Sequence, residues 1–203
     1  MKLLLCVVFI STLAFGNASD PLGQKAHYLL DTNPERTSSL ISSGTIDVGI
    51  VAFIAATGDE NAAYQMKIDY KYALQFLGSK TGSETTNLDA VYFDPKFLAD
   101  LRANGTYEGE NFKAKHLGYV DAKTLNGKFY PKCDKVYLYD IKTETRLSTV
   151  LRDFLGQRAD VEDMTAMVHI YPDVPVLGAV KLDVAGTYQG IAIKAGGDYD
   201  PKR

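Results

Sequence analysis

Cysteine, histidine and tryptophan are all scarce in this chain, and each shortage removes a class of chemistry. Its 203 residues hold two cysteines, three histidines and no tryptophan. Cys6 lies in an apolar N-terminal stretch, which leaves Cys133 alone in the body of the protein, so no intramolecular disulfide can staple a mature domain. A single cysteine without Cys-x-x-Cys or His-x-x-x-His spacing cannot anchor a structural zinc, and it reads as a small apolar packing residue. The missing tryptophan takes away the flat platforms common in sugar-binding clefts, and with them the Gly-x-Trp signature of lipocalins.

Strong charge of one sign is missing too. The net charge is −3, or −4 once Lys2 leaves with the leader described below, and no basic cluster breaks the balance. Nucleic acid and anionic membrane surfaces are therefore not expected partners. After the N-terminus no apolar run could span a bilayer as a helix: the nearest, residues 46–56, is too short and is interrupted by Asp47 and Gly49. No serine sits in a Gly-x-Ser-x-Gly setting. His27, His116 and His169 are far apart, and His116 and His169 fall in strand-like runs where a half-buried sheet position is expected. Asp198-Tyr199-Asp200 and residues 160–163 lack the glycine and glutamate spacing of a calcium loop. No catalytic residue, metal ligand or cofactor is expected from these patterns.

The N-terminus carries the clearest signal. Lys2, an apolar stretch from Leu3 to Phe15, and the small residues Gly16 and Ala18 follow the order of a secretory signal peptide. Residues 1–18 are expected to be cleaved, leaving residues 19–203 as a single β-rich domain that is periplasmic or extracellular. Cys6 stands too close to Lys2 to serve as a lipoprotein acceptor.

Within that domain, the strongest pattern runs from Tyr64 to Leu77. Tyr64, Met66, Ile68, Tyr70, Tyr72, Leu74 and Phe76 occupy alternate positions, with Gln65, Lys67, Asp69, Lys71 and Gln75 between them. A period of two is the mark of a strand with one apolar and one wet face. Thr45 to Ala56 begins with the same alternation and is separated from the long strand by Thr57-Gly58-Asp59-Glu60-Asn61, so the two segments should pair antiparallel. Further strands are expected at residues 26–30, 37–41, 90–93, 112–119, 135–141, 165–171, 176–184 and 188–195, the last two joined through Ala185-Gly186.

Two helices are expected among these strands. One has Asp94 as its cap, Pro95 at its first turn, Phe97, Leu98 and Leu101 buried, and Asn104-Gly105 as its stop. The other begins near Thr145 and sets Leu147, Val150, Leu151, Phe154 and Leu155 on one face. The expected fold is therefore mainly β, a long antiparallel curved or barrel-like sheet with two to three packed helices.

Export, a long tyrosine-rich strand face and no catalytic pattern together indicate a soluble, non-enzymatic protein that binds a lipid or another apolar small molecule. The expected ligand-binding residues are Tyr64, Met66, Ile68, Tyr70, Tyr72, Leu74 and Phe76. Tyrosine suits such a wall because its ring covers apolar surface while its hydroxyl meets a polar head group. Two alternatives stand beside this reading. One is a cell-envelope structural or interaction module with a protein partner; the other is a hydrolase with a scattered active site.

Overall fold

A computed structural model describes residues 20–30, 41–58, 61–74, 78–109, 112–120, 123–125, 128–141, 161–176, 178–188 and 191–202. The expected leader, the expected helix near Thr145, and Phe76 lie outside these residues. The described strands are β1 (Lys25–Leu30), β2 (Ile41–Ile54), β3 (Ala63–Leu74), β4 (Gly78–Asp89), β5 (Thr106–Glu108), β6 (Lys113–Val120), β7 (Lys123–Leu125), β8 (Lys128–Tyr130), β9 (Cys133–Tyr139), β10 (Val161–Ile170), β11 (Ala179–Tyr188) and β12 (Ile191–Tyr199). One α-helix, α1 (Pro95–Asn104), follows a 3-10 turn at Ala90–Phe93.

Ten strands form one open antiparallel sheet in the order β4-β3-β2-β1-β12-β11-β10-β9-β6-β5, and β7 and β8 form a separate hairpin. Alternation explains the layering. Ile46, Val48 and Ile50 of β2 stand in register with Tyr70, Ile68 and Met66 of β3, and all six are buried. Tyr28 and Leu30 of β1, Val136 and Leu138 of β9, Ala166 and Val168 of β10, and Leu182 and Val184 of β11 continue the apolar face.

A bulge between Ile50 and Ala52 accounts for the loss of alternation near the end of β2. Val51 is the extra, exposed residue, and the shifted phase brings Phe53 opposite Tyr64, where their rings meet at 5.0 Å.

Helix α1 begins where its cap chemistry directs. The Asp94 carboxylate accepts from the Lys96 backbone N–H, Pro95 opens the first turn, and Gly105 at φ 76° closes the last. Phe97, Leu98 and Leu101 are buried as expected.

Three expectations need correction. The described residues hold a single α-helix, not two or three. Residues 90–93, expected as a strand, are a 3-10 turn, because Asp89 accepts from the Val91 N–H and caps it. The last hairpin does not turn at Ala185-Gly186: these residues pair with Lys194 and Ile193, and the strands run on to the pair Tyr188 and Ile191. Strand β4 was not foreseen at all, since Gly78–Asp89 is mostly Ser, Thr, Gly and charged residues.

One close approach fixes a glycine. A Cβ on Gly44 would sit 2.6 Å from Tyr72 Cβ and 2.7 Å from the Lys71 carbonyl oxygen. Since backbone cannot yield there, Gly44→Ala is expected to cost about 2 kcal/mol in urea unfolding. Gly49→Ala, whose Cβ would meet its nearest neighbour at 3.5 Å, serves as the near-neutral control.

Candidate functional site

The expected ligand-facing residues share one strand, and the structure puts those whose side chains it describes on the inner face. Met66 and Ile68 are 0% exposed, and Tyr70 and Tyr72 are buried beside them. Leu74 ends β3, and only its backbone is described. Tyr64, half-buried at the opposite end of the strand, lies between Phe53 and Phe93, with its ring 4.7 Å from that of Phe93. Tyr70 and Tyr72 pack ring to ring at 5.8 Å. The Tyr70 hydroxyl points to Glu84 Oε1 at 3.5 Å. Burial, and then the Glu84 carboxylate, push the Tyr70 phenol up to about 12 and the Tyr72 phenol upward as well.

Sequence reasoning missed a second tyrosine cluster. Tyr28 of β1 and Tyr199 of β12 are direct cross-strand partners, with rings 5.9 Å apart. Tyr130 at the end of β8 meets the Tyr171 ring at 5.6 Å. The two pairs adjoin: Tyr199 and Tyr130 both add to the upward push that burial gives the Tyr28 phenol. Burial, then Tyr199, Cys133, Asp200 and Tyr171, push the Tyr130 phenol up to about 12. Both phenols are therefore protonated donors near neutral pH. Tyr28 is 5% and Tyr130 0% exposed, yet neither hydroxyl has a hydrogen-bond partner among the described residues.

This end of the sheet is closed by the segment between β10 and β11. Its Val174 and Val176 are buried, and the Val176 N–H donates to Gln24 Oε1 at 2.9 Å. Val176 is held at φ 66°, a costly conformation for a β-branched residue. Local pattern marks β1 as a strand but not its partner. The meeting of residues 28, 130, 171 and 199 is a product of strand order.

The histidines occupy two carboxylate pairs. His27 Nδ1 lies 2.6 Å from Asp47 Oδ1 on the outer face. His116 Nε2 lies 2.9 Å from Asp134 Oδ1, and the same buried carboxylate accepts from Arg102 Nε at 2.7 Å and Nη2 at 2.6 Å. Arg102 comes from α1, His116 from β6 and Asp134 from β9. The Asp134 hydrogen bonds hold the Arg102 guanidinium above its ordinary range. The group pins the helix to the sheet: a carboxylate that is 2% exposed needs this many donors simply to be stable there. His169 is buried in β10, as a sheet residue.

No helix among the described residues is long and apolar enough to cross a membrane. The chain matches no protein-family model and no curated protein.

Proposed function

We propose that this protein is an exported carrier or receptor for a lipid or another apolar small molecule, held against the inner face of a curled β-sheet. The observation that carries the reading is the ratio of apolar face to cover. Buried apolar side chains run across the sheet from β3 to β6, while the described residues supply one ten-residue helix, the β7-β8 hairpin and the short segment after β10 to cover them.

Curling follows from the connection between the two edges. Ten flat strands would hold β4 and β5 about 43 Å apart at about 4.8 Å per step. The link from Asp89 to Thr106, a 3-10 turn, α1 and short joints, reaches about 33 Å even if collinear. Adjacent residues in that link also touch both sides. Phe93 packs on Tyr64 of β3, while Tyr92 packs on Phe112 beside β6 at 5.4 Å and on Tyr107 of β5 at 6.5 Å. A sheet rolled this way surrounds its own apolar face.

The rim offers a way in. Val51, Phe53, Ile54 and Val91, all exposed, sit at the end of the sheet where β2 and β4 finish, next to the half-buried Tyr64. Burial of apolar ligand surface at about 25 cal/mol per Å² would drive binding, and tyrosine hydroxyls would orient the ligand. The expected leader agrees with work in the periplasm or outside the cell.

Mass spectrometry of organic extracts from the natively purified protein is expected to reveal a copurified lipid or apolar metabolite, and N-phenylnaphthylamine fluorescence should rise on mixing. A clean extract together with no probe binding would reject the proposal. The envelope-module reading draws on one observation, the twelve-residue edge strand β4, along whose outer side no described strand pairs. Crosslinking in intact envelopes would recover its partner.

A further inference from the structure

The hydroxyls of Tyr28 and Tyr130 are the feature that the fold itself leaves unexplained. Buried polar groups are almost always hydrogen-bonded, because losing water without a replacement is costly. Two such donors within one tyrosine cluster, each without a partner among the described residues, are out of place in an interior that is mostly apolar. Phenylalanine would fill the same space without that cost, so the oxygens call for a task.

We infer that Tyr28 and Tyr130 form the head-group end of the ligand site and donate hydrogen bonds to an uncharged oxygen acceptor, such as an ester, ketone or alcohol, on a long apolar molecule. This deepens the proposed function and rests on it. The charge environment selects the neutral class. The Asp200 carboxylate acts on both Tyr130 and Tyr199, raising both phenols, and it opposes an anion. Lys128 approaches the cluster over the face of the Tyr130 ring, 5.7 Å from its centroid. It is thus placed as a partner of the ring more than of a group bound at the hydroxyl. Full burial disfavours any net charge on the ligand head. Both phenols keep their protons and can only gain by meeting an acceptor.

Access is compatible with the fold. Tyr130 belongs to the β7-β8 hairpin, which is outside the ten-stranded ladder, so its ring can move without breaking a hydrogen bond of the main sheet.

The test uses the mature full chain loaded with N-phenylnaphthylamine and displaced by three probes of matched length: dodecane, methyl laurate and laurate. Methyl laurate is expected to displace the dye at the lowest concentration. In the Tyr28→Phe/Tyr130→Phe variant its affinity should fall about tenfold, equivalent to about 1.4 kcal/mol, while dodecane is unchanged. The same variant, freed of two unsatisfied hydroxyls, should melt about 2–4 °C higher without ligand. Gained stability with lost ester affinity is a pattern that a merely structural pair would not produce. Equal displacement by dodecane and methyl laurate, preference for laurate, or unchanged ester affinity in the double variant, as expected if the hydroxyls meet only internal water, would each overturn the assignment and leave the broader reading standing. Failure of the dye to bind the wild-type protein would remove both.

Discussion

Arg102→Met is expected to destabilise the protein by about 3 kcal/mol, a loss of about 6–12 °C in Tm for a chain of this size. The substitution keeps the aliphatic stem and removes the two guanidinium donors that hold Asp134 at 2.7 and 2.6 Å. What remains is a carboxylate, 2% exposed, facing His116. Stranding a buried charge costs about 3–5 kcal/mol, and the partial exposure of Arg102 places this case at the lower end. The double variant Arg102→Met/Asp134→Leu should recover much of the loss, because exchanging a buried ion pair for apolar residues is often close to neutral. Urea unfolding of the two single variants and the double closes the cycle. Strictly additive losses would show that the pair is not coupled and that α1 is held to β6 and β9 by its apolar face alone.

Ile68→Ala is expected to cost about 3 kcal/mol in the ligand-free protein, within the usual span for deleting three carbons from a core. Ile68 is completely buried and stands in register between Val48 and Glu84. It also belongs to the face proposed to receive ligand, so the variant separates two roles of one side chain. A residue packed against its neighbours loses stability whether or not ligand is present. One that faces open space loses little stability and much affinity. Complete burial without ligand predicts the first behaviour at Ile68, with ligand contact shifted towards the ends of the face, where Tyr64 lies at the rim and Tyr28 and Tyr130 cluster. An unfolding loss below about 1 kcal/mol would reverse that division.

Much of the sheet was legible because strand faces are written locally. Tyr64, Met66, Ile68, Tyr70 and Tyr72 alternate with polar residues, and a period of two leaves one arrangement that buries them together. Helix α1 was legible for a similar reason, since Asp94, Pro95 and Gly105 mark its ends and the apolar spacing marks its face. The misreadings came from positions where tertiary context overrides local pattern. Strand β4 carries little apolar signal and is held by its pairing with β3, from Ala63 opposite Asp89 to Leu74 opposite Gly78. Gly186 looked like a turn, yet it sits inside a ladder where Ile193 faces it. Val51 breaks the alternation with which Thr45 to Ala56 begins, and it is a bulge.

The candidate head-group site was illegible for a different reason. Tyr28, Tyr130, Tyr171 and Tyr199 come from distant parts of the chain. They meet because β1 pairs with β12 and because the β7-β8 hairpin and the segment after β10 close the same end. Arg102, His116 and Asp134 likewise converge from a helix and two strands.

The sequence by itself determined the face of each strongly alternating strand and the limits of α1, since each depends on residues within a few positions of one another. The tertiary structure alone decided the strand order, which carboxylate pins the helix and which hydroxyls are left without a partner. Burial and hydrogen bonding are properties of a side chain's neighbours, and in an antiparallel sheet joined end to start those neighbours lie at any distance along the chain.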